Sequence, residues 1–251
     1  MKDSFWISGK AEPGTEALFR GIFQLERAVR IQLQMVGASW YQVWLDGKWV
    51  LEGPFRYPPE APEFQVEEFD LPAGPHVLGI HARHEGVETR VLKAIPPYLC
   101  CRILNPDRPV PIAWKGVCLS LQAPADSWIP AASPRRISPQ FGWVERRDTR
   151  LEPVGWQSPG FDDSAWKAPT TGVSALPDPT PANLSSVRTF SHPLTPCAEG
   201  PLARTFGYAD DEPAYAFFCR DRSCHALPVE GRWYLYDLGR VRLGRPAITL
   251  D

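Results

Sequence analysis

The sequence lacks any stretch approaching the roughly 18 unbroken apolar residues of a membrane-spanning helix, so no helical span is expected. Residues Met1–Lys10 hold no apolar core of the kind a secretory signal carries. Clustered basic charge is missing too. Arg135-Arg136 and Arg146-Arg147 are only pairs, and the formal net charge is −2. Nucleic-acid and anionic-membrane partners, which ask for a basic surface, are therefore not expected. Few segments run far without Pro or Gly. The 28 prolines each remove a backbone donor and clash with a preceding turn, which excludes an array of long helices. No serine sits in a nucleophile elbow, no Gly-rich phosphate loop precedes a helix, and no internal repeat is present. Six cysteines without a signal segment point to free thiols in a reducing compartment, hence a cytoplasmic location.

What is present leans to β structure. The hydrophobic fraction is 43% and the charged fraction 22%, as in soluble globular proteins. A chain of 251 residues suffices for one large or two modest domains. Ten tryptophans suit pleated, half-buried strands and sugar-binding surfaces alike. Val29, Ile31, Leu33 and Met35 alternate with Arg30, Gln32 and Gln34, as in a strand with one buried face. Leu18–Leu25 repeats the pattern with Phe19, Phe23 and Leu25 around Gly21. Tyr41–Leu45 and Lys48–Leu51 flank Asp46-Gly47, a strong type I′ hairpin signal. Phe64–Leu71 and His76–Ala82 read as a further pair joined through Pro72-Ala73-Gly74-Pro75, and Gly116–Gln122 as one more strand. Short strands at such spacing predict a jelly-roll β-sandwich.

The middle of the chain is less regular. Trp128, Trp143, Trp156 and Trp166 punctuate Ala123–Pro169, and such rings predict loops packed tightly on a sandwich. The expected organisation is a β-sandwich over 1–169, a Pro-rich connector with scope for strands over 170–230, and the opening strands of a second, truncated β-sandwich over 231–251. Phe206–Cys219 has room for one or two strands, and strand character resumes at Tyr234-Leu235-Tyr236 and Ala247–Leu250. Because a lone hairpin is marginal in water, that last strand is expected to dock on the first domain or to belong to a missing one.

Three passages carry a family resemblance. Phe19–Phe23, the run from Ala38 through Trp40, Trp44 and Asp46-Gly47, then Glu52-Gly53-Pro54 and His76–His81, is similar to the N-terminal sandwich of the bacterial α-L-rhamnosidase family of glycoside hydrolases. Asp148-Thr149-Arg150, Gly155-Trp156, and Gly160-Phe161-Asp162-Asp163-Ser164 with Trp166 resemble that family's Asp-Ala-Arg, Gly-Trp and Phe-Asp-Asp-Ser-x-Trp passage. Tyr236-Asp237-Leu238-Gly239-Arg240 with Gly244-Arg245-Pro246 resembles the strand opening its next β-domain. The resemblance implies an all-β, galactose-binding-like sandwich. It also implies that inverting hydrolysis belongs to acidic residues on a downstream (α/α)6 barrel, since that chemistry needs a separated general acid and base. No catalytic residue is assigned within this sequence. Asp46 stands where the family more often has Asn, and both tolerate positive φ.

The candidate carbohydrate-binding residues are Trp44, Trp49, Arg56 and Tyr57. A two-residue turn at Asp46-Gly47 sets Trp44 opposite Trp49, on the face away from Val43 and Val50. The pair is expected to pack against loops or to offer a stacking platform for a sugar ring. Arg56, on a loop after Gly53-Pro54 with Tyr57, has donors suited to vicinal hydroxyls or a carboxylate. Asp162-Asp163 suits turn hydrogen bonding rather than catalysis. Cys219, Cys224 and His225, with Cys197 and His192 as conceivable completions, do not make a convincing zinc set. Cys100-Cys101 reads as two strand thiols facing opposite sides. No metal or cofactor is expected. The function expected is a non-catalytic accessory or carbohydrate-recognition region of an α-L-rhamnosidase-like glycoside hydrolase, with a rhamnose-containing glycan and a downstream catalytic domain as partners. The alternatives are a stand-alone lectin-like module and a protein-interaction module.

Overall fold

The computed structural model describes residues 2–89, 93–106, 108–119, 152–183, 193–201 and 232–239. Several expected landmarks lie outside them: Trp128, Trp143, Asp148-Thr149-Arg150, His192, the Phe206–Cys219 strands, Cys219, Cys224, His225 and Ala247–Leu250. The chain divides into two compact units, 1–186 and 187–251.

The first unit is a β-sandwich, all-β among its described residues. Its strands are β1 (Ser4–Trp6), β2 (Thr15–Leu25), β3 (Val29–Ala38), β4 (Trp40–Leu45), β5 (Lys48–Gly53), β6 (Glu63–Leu71), β7 (Gly74–His84), β8 (Tyr98–Asn105), β9 (Arg108–Pro109), β10 (Ala113–Leu119), β11 (Thr170–Thr171) and β12 (Thr180–Pro181). One sheet has the order β11-β1-β8-β3-β6-β12, with β9 on β8; the other runs β10-β2-β7-β4-β5. Residues 170–181, at the start of the expected connector, thus add two short strands to the first sheet, β11 against β1 and β12 parallel to β6.

Strand alternation fills the space between the sheets. Ile31, Leu33 and Met35 of β3 and Leu99, Cys101 and Ile103 of β8 meet Ala17, Phe19, Phe23, Tyr41, Val43 and Ile80 from the opposite sheet. Each buried Leu, Ile, Val, Met or Phe among them contributes about 1.5–3 kcal/mol. The outer faces are covered as well. Val36, Phe64, Tyr98 and Cys100 pack with Tyr57, Ile95, Val173 and Leu176, and Leu18 and Leu119 pack with Trp156, Phe161 and Trp166. Cys100 and Cys101 therefore do face opposite sides of β8.

Two details of pairing differ from the sequence reading. β6 and β7 do not form a hairpin: β6 pairs with β3, whereas β7 pairs with β2 and β4. The connection at Pro72-Ala73 instead crosses between the sheets. Prolines at 72 and 75 withhold the N–H groups a tight hairpin would use. The β4–β5 hairpin is closed as expected, by Asp46 at φ 50° and Gly47 at φ 81°, both positive as a type I′ turn requires. Its register, however, carries a bulge. Val43 pairs with Leu51 and Trp44 with Trp49, which leaves Val50 as the extra residue. Leu51, rather than Val50, is the fully buried member opposite Val43.

In the second unit, Ala198–Pro201 (β13) pairs antiparallel with Arg232–Leu235 (β14). Tyr236, expected in the strand, follows its end.

Candidate functional site

The outer face of the five-stranded sheet holds the two candidate tryptophans. Trp44 and Trp49 are cross-strand partners, but their environments differ. Trp44 stands edge-on to Trp156, with ring centroids 5.5 Å apart, and Trp156 is buried against Leu18 and Leu119. Trp44 is thus half covered by the 155–158 loop, and Trp49 remains 41% exposed. The loop lies flat because Gly79, the β7 neighbour of Trp44, has no side chain. A Cβ there would come within 3.0 Å of Trp156 and 3.2 Å of the Gln157 Cα.

Arg20 pins this loop from below. It is 2% exposed, its Nε donates to Asp163 Oδ2 at 3.0 Å, and its Nη1 donates to the carbonyls of Trp156 and Ser158. Its guanidinium also lies 5.2 Å from the Phe161 ring centroid. Lys115 Nζ donates to Asp163 Oδ1 at 2.8 Å. Burial alone would raise the Asp163 carboxyl, yet the two cations outweigh it and hold it below the usual carboxylate range. Asp162 accepts from the Ser164 backbone N–H at 2.9 Å, a turn bond of the expected kind. Asp163 instead joins a buried ionic cluster.

Arg56 and Tyr57 sit at the other end of the sandwich. They line a shallow cleft with Ser39, Phe55, Lys93 and Ile95, of about 30 Å³, room for one or two water-sized groups. Tyr57 is fixed there. Its hydroxyl donates to the Gly37 carbonyl at 2.9 Å and lies 2.6 Å from the Tyr98 hydroxyl. Burial pushes the Tyr57 phenol up to about 12. Arg56 is exposed. From Trp49 to Gly53, where the cleft-lining loop begins, β5 advances four residues, about 13 Å at strand rise. The four candidate residues therefore form two separate places: Trp44 and Trp49 near the hairpin tip, Arg56 and Tyr57 at the loop end.

A row of polar side chains between these places was not singled out in the sequence. Glu16 Oε2 and His81 Nε2 are 2.8 Å apart and both buried. Trp40 meets the His81 ring edge-on at 5.4 Å. Beside His81 across the strands, Gln42 reaches Glu52 at 3.4 Å. The available signal was the pair of outward polar residues Gln42 of β4 and His81 of β7, set among tryptophans on a face where a merely covered sheet would carry aliphatics. Among the described residues, no group of three or more His, Cys, Asp or Glu is placed to hold a metal ion.

Neither a protein-family profile nor a curated protein matches the chain. Among solved structures, the GH78 family rhamnosidase of Bacillus sp. GL1 superposes with a TM-score of 0.66 at 22% identity, over 81% of this chain and 22% of that one. The first sandwich is rhamnosidase-like in fold. The α-L-rhamnosidase of Streptomyces avermitilis, solved with L-rhamnose, gives a TM-score of 0.47 at 19% identity, over 78% of this chain and 19% of that one. A Pleurotus ostreatus lectin solved with GalNAc gives 0.46 at 14% identity, over 71% and 46%. This chain spans about a fifth of the length of the rhamnosidases it resembles.

Proposed function

We propose that this chain is a non-catalytic carbohydrate-recognition or accessory β-region of an α-L-rhamnosidase-like glycoside hydrolase. The observation that carries the reading is the superposition of 81% of the chain on 22% of the Bacillus enzyme, agreeing with the order of the resembling motifs along the sequence. A catalytic barrel supplied by another part of the enzyme is its partner in this reading, and a reducing, cytoplasmic setting belongs to the same proposal. The sugar would engage the exposed ring of Trp49, whose apolar face suits a pyranose. A second contact is the cleft at Arg56 and Tyr57, where a guanidinium offers paired donors to vicinal hydroxyls.

Titration calorimetry of the purified chain against L-rhamnose, rhamnose-containing oligosaccharides and galactose tests this. Binding at millimolar strength or better, weakened at least tenfold by Trp49→Ala or Arg56→Ala, supports it. A folded chain that binds no glycan would leave only the bracing role, or the alternative of a protein-interaction module.

A further inference from the structure

His76 is the third residue of β7, paired with Phe23 of β2, and is 4% exposed. Its Nδ1 lies 2.7 Å from Asp46 Oδ2 and its Nε2 lies 3.0 Å from the Pro72 carbonyl oxygen. A carbonyl oxygen only accepts, and so does an ionised carboxylate. A neutral imidazole has a single N–H and can satisfy one of these acceptors, leaving two lone pairs opposed at the other. Both contacts are made at once when both ring nitrogens carry protons. The other Asp46 oxygen already accepts from the Val77 backbone N–H at 2.8 Å, so the carboxylate bridges the ring and the strand.

The place of this ring in the fold gives the pairing a consequence. Asp46 is the first residue of the β4–β5 turn, two residues from Trp44 and three from Trp49. Pro72 lies in the connection that passes from one sheet to the other. The ring is stacked on Phe23 of β2, centroids 5.3 Å apart with planes inclined by 29°. Asp46 is the charged group paired with it; β2 presents Phe23 and the crossover presents a backbone carbonyl, neither of which titrates. We propose that His76 is held as an imidazolium and acts as a pH-sensitive clasp, tying the Trp-bearing hairpin tip to the inter-sheet connection.

The direction follows from the donor count. With both protons present, both loops are held. Loss of one proton removes one N–H, so the clasp is complete when both ring nitrogens are protonated and opens on deprotonation.

Two measurements on the intact chain test the clasp. Long-range ¹H–¹⁵N correlation of the His76 ring should show two protonated nitrogens at pH 5.5 in the folded protein. A ring with one protonated nitrogen there would overturn the proposal, whatever any variant does. The second measurement compares urea denaturation of wild type with Asp46→Asn, which keeps a residue tolerant of positive φ while removing the charge. The folding equilibrium constant should differ on the order of tenfold at pH 5.5, a charge-assisted bond being at stake, and the gap should shrink by pH 8.5. A gap independent of pH would equally overturn it.

Discussion

Arg20 and Asp163 lie 143 residues apart in sequence, yet Arg20 Nε donates to Asp163 Oδ2 at 3.0 Å, with the two side chains 2% and 11% exposed. This bond fastens the 152–167 segment onto the outer face of the five-stranded sheet, because the same guanidinium also holds the Trp156 and Ser158 carbonyls. Truncating Asp163 leaves the buried Arg20 guanidinium without its carboxylate, and truncating Arg20 leaves Asp163 to Lys115 alone. Arg20→Ala or Asp163→Ala should therefore destabilise the first unit by about 3 kcal/mol, read from urea denaturation. A loss below about 0.5 kcal/mol, the scale of an exposed pair, would show that the loop is held by its aromatic contacts instead.

Acid sensitivity follows from the same carboxylate. Lys115 and Arg20 overcome the upward push of burial and leave Asp163 lower in the folded chain than in the unfolded one. A depressed carboxylate contributes stability in full above its unfolded value, about pH 4. That contribution is lost as pH falls through the lower folded value. Between about pH 5 and pH 2, wild type should lose stability more steeply than Asp163→Asn, and the two curves should converge at the acidic end. Parallel curves would remove Asp163 as a source of acid sensitivity.

Gly53 ends β5 where two buried side chains meet. Tyr41 Oη donates to Gln65 Oε1 at 2.7 Å, and Gln65 Nε2 donates to the Glu52 carbonyl at 3.0 Å. A Cβ at position 53 would strike Gln65 Oε1 and the Tyr41 hydroxyl. Both belong to a packed region, Tyr41 being fully buried, so neither can move aside freely. Gly53→Ala should cost about 1–3 kcal/mol through overpacking. Tyr41→Phe should cost about 1–2 kcal/mol by leaving the amide oxygen unpaired. Thermal melts of both variants check this, and a neutral Gly53→Ala would show that the network repacks.

The thiols should divide by position. Burial raises the Cys100 thiol to about 11 and pushes Cys101 up further, with the neighbouring Cys100 adding to the effect on Cys101. Neither then supplies much thiolate, the reactive form, at neutral pH. Cys197 is exposed. Brief alkylation of the native protein at pH 8, read residue by residue by mass spectrometry, should label Cys197 well before Cys100 or Cys101. Early labelling of Cys101 would mean that β8 opens far more readily than its place in the core implies.

Much of the sandwich was legible because its strands advertise themselves by alternation. Val29–Met35 and Leu18–Leu25 became β3 and β2 with the expected faces buried, and Asp46-Gly47 closed the hairpin with both φ angles positive. Partnership was less legible. Pro72 and Pro75 argue locally against a tight β6–β7 hairpin, but which strands β6 and β7 pair with instead is decided by the sheet each neighbour occupies. The Val50 bulge was hidden for a related reason: a bulge conserves the hairpin turn and changes only the pairing beyond it. Arg20 gave a sharper clue, a lone cation inside Leu18–Ile22, but its partner at 163 is set by a loop whose path no periodicity describes. The candidate site divided because sequence proximity from Trp44 to Tyr57 spans a full hairpin, whose two ends face different surroundings.

The asymmetry of Trp44 and Trp49 gives the most direct reading of the hairpin face. Trp44 is packed edge-on against Trp156, so Trp44→Ala removes ring contacts and leaves a gap under the 155–158 loop. The expected cost is about 3 kcal/mol, toward the lower end for large aromatics because the ring is only partly buried. Trp49 is 41% exposed, and Trp49→Ala should cost less than about 1 kcal/mol, chiefly from its lost cross-strand contact. The proposed glycan contact reverses this order. Trp49→Ala should abolish sugar-dependent quenching of tryptophan fluorescence in a fully folded protein, and the smaller Trp44→Phe should leave it in place. If Trp49→Ala retains the wild-type response, the exposed ring is not the sugar platform, and the cleft at Arg56 and Tyr57 becomes the place to mutate next.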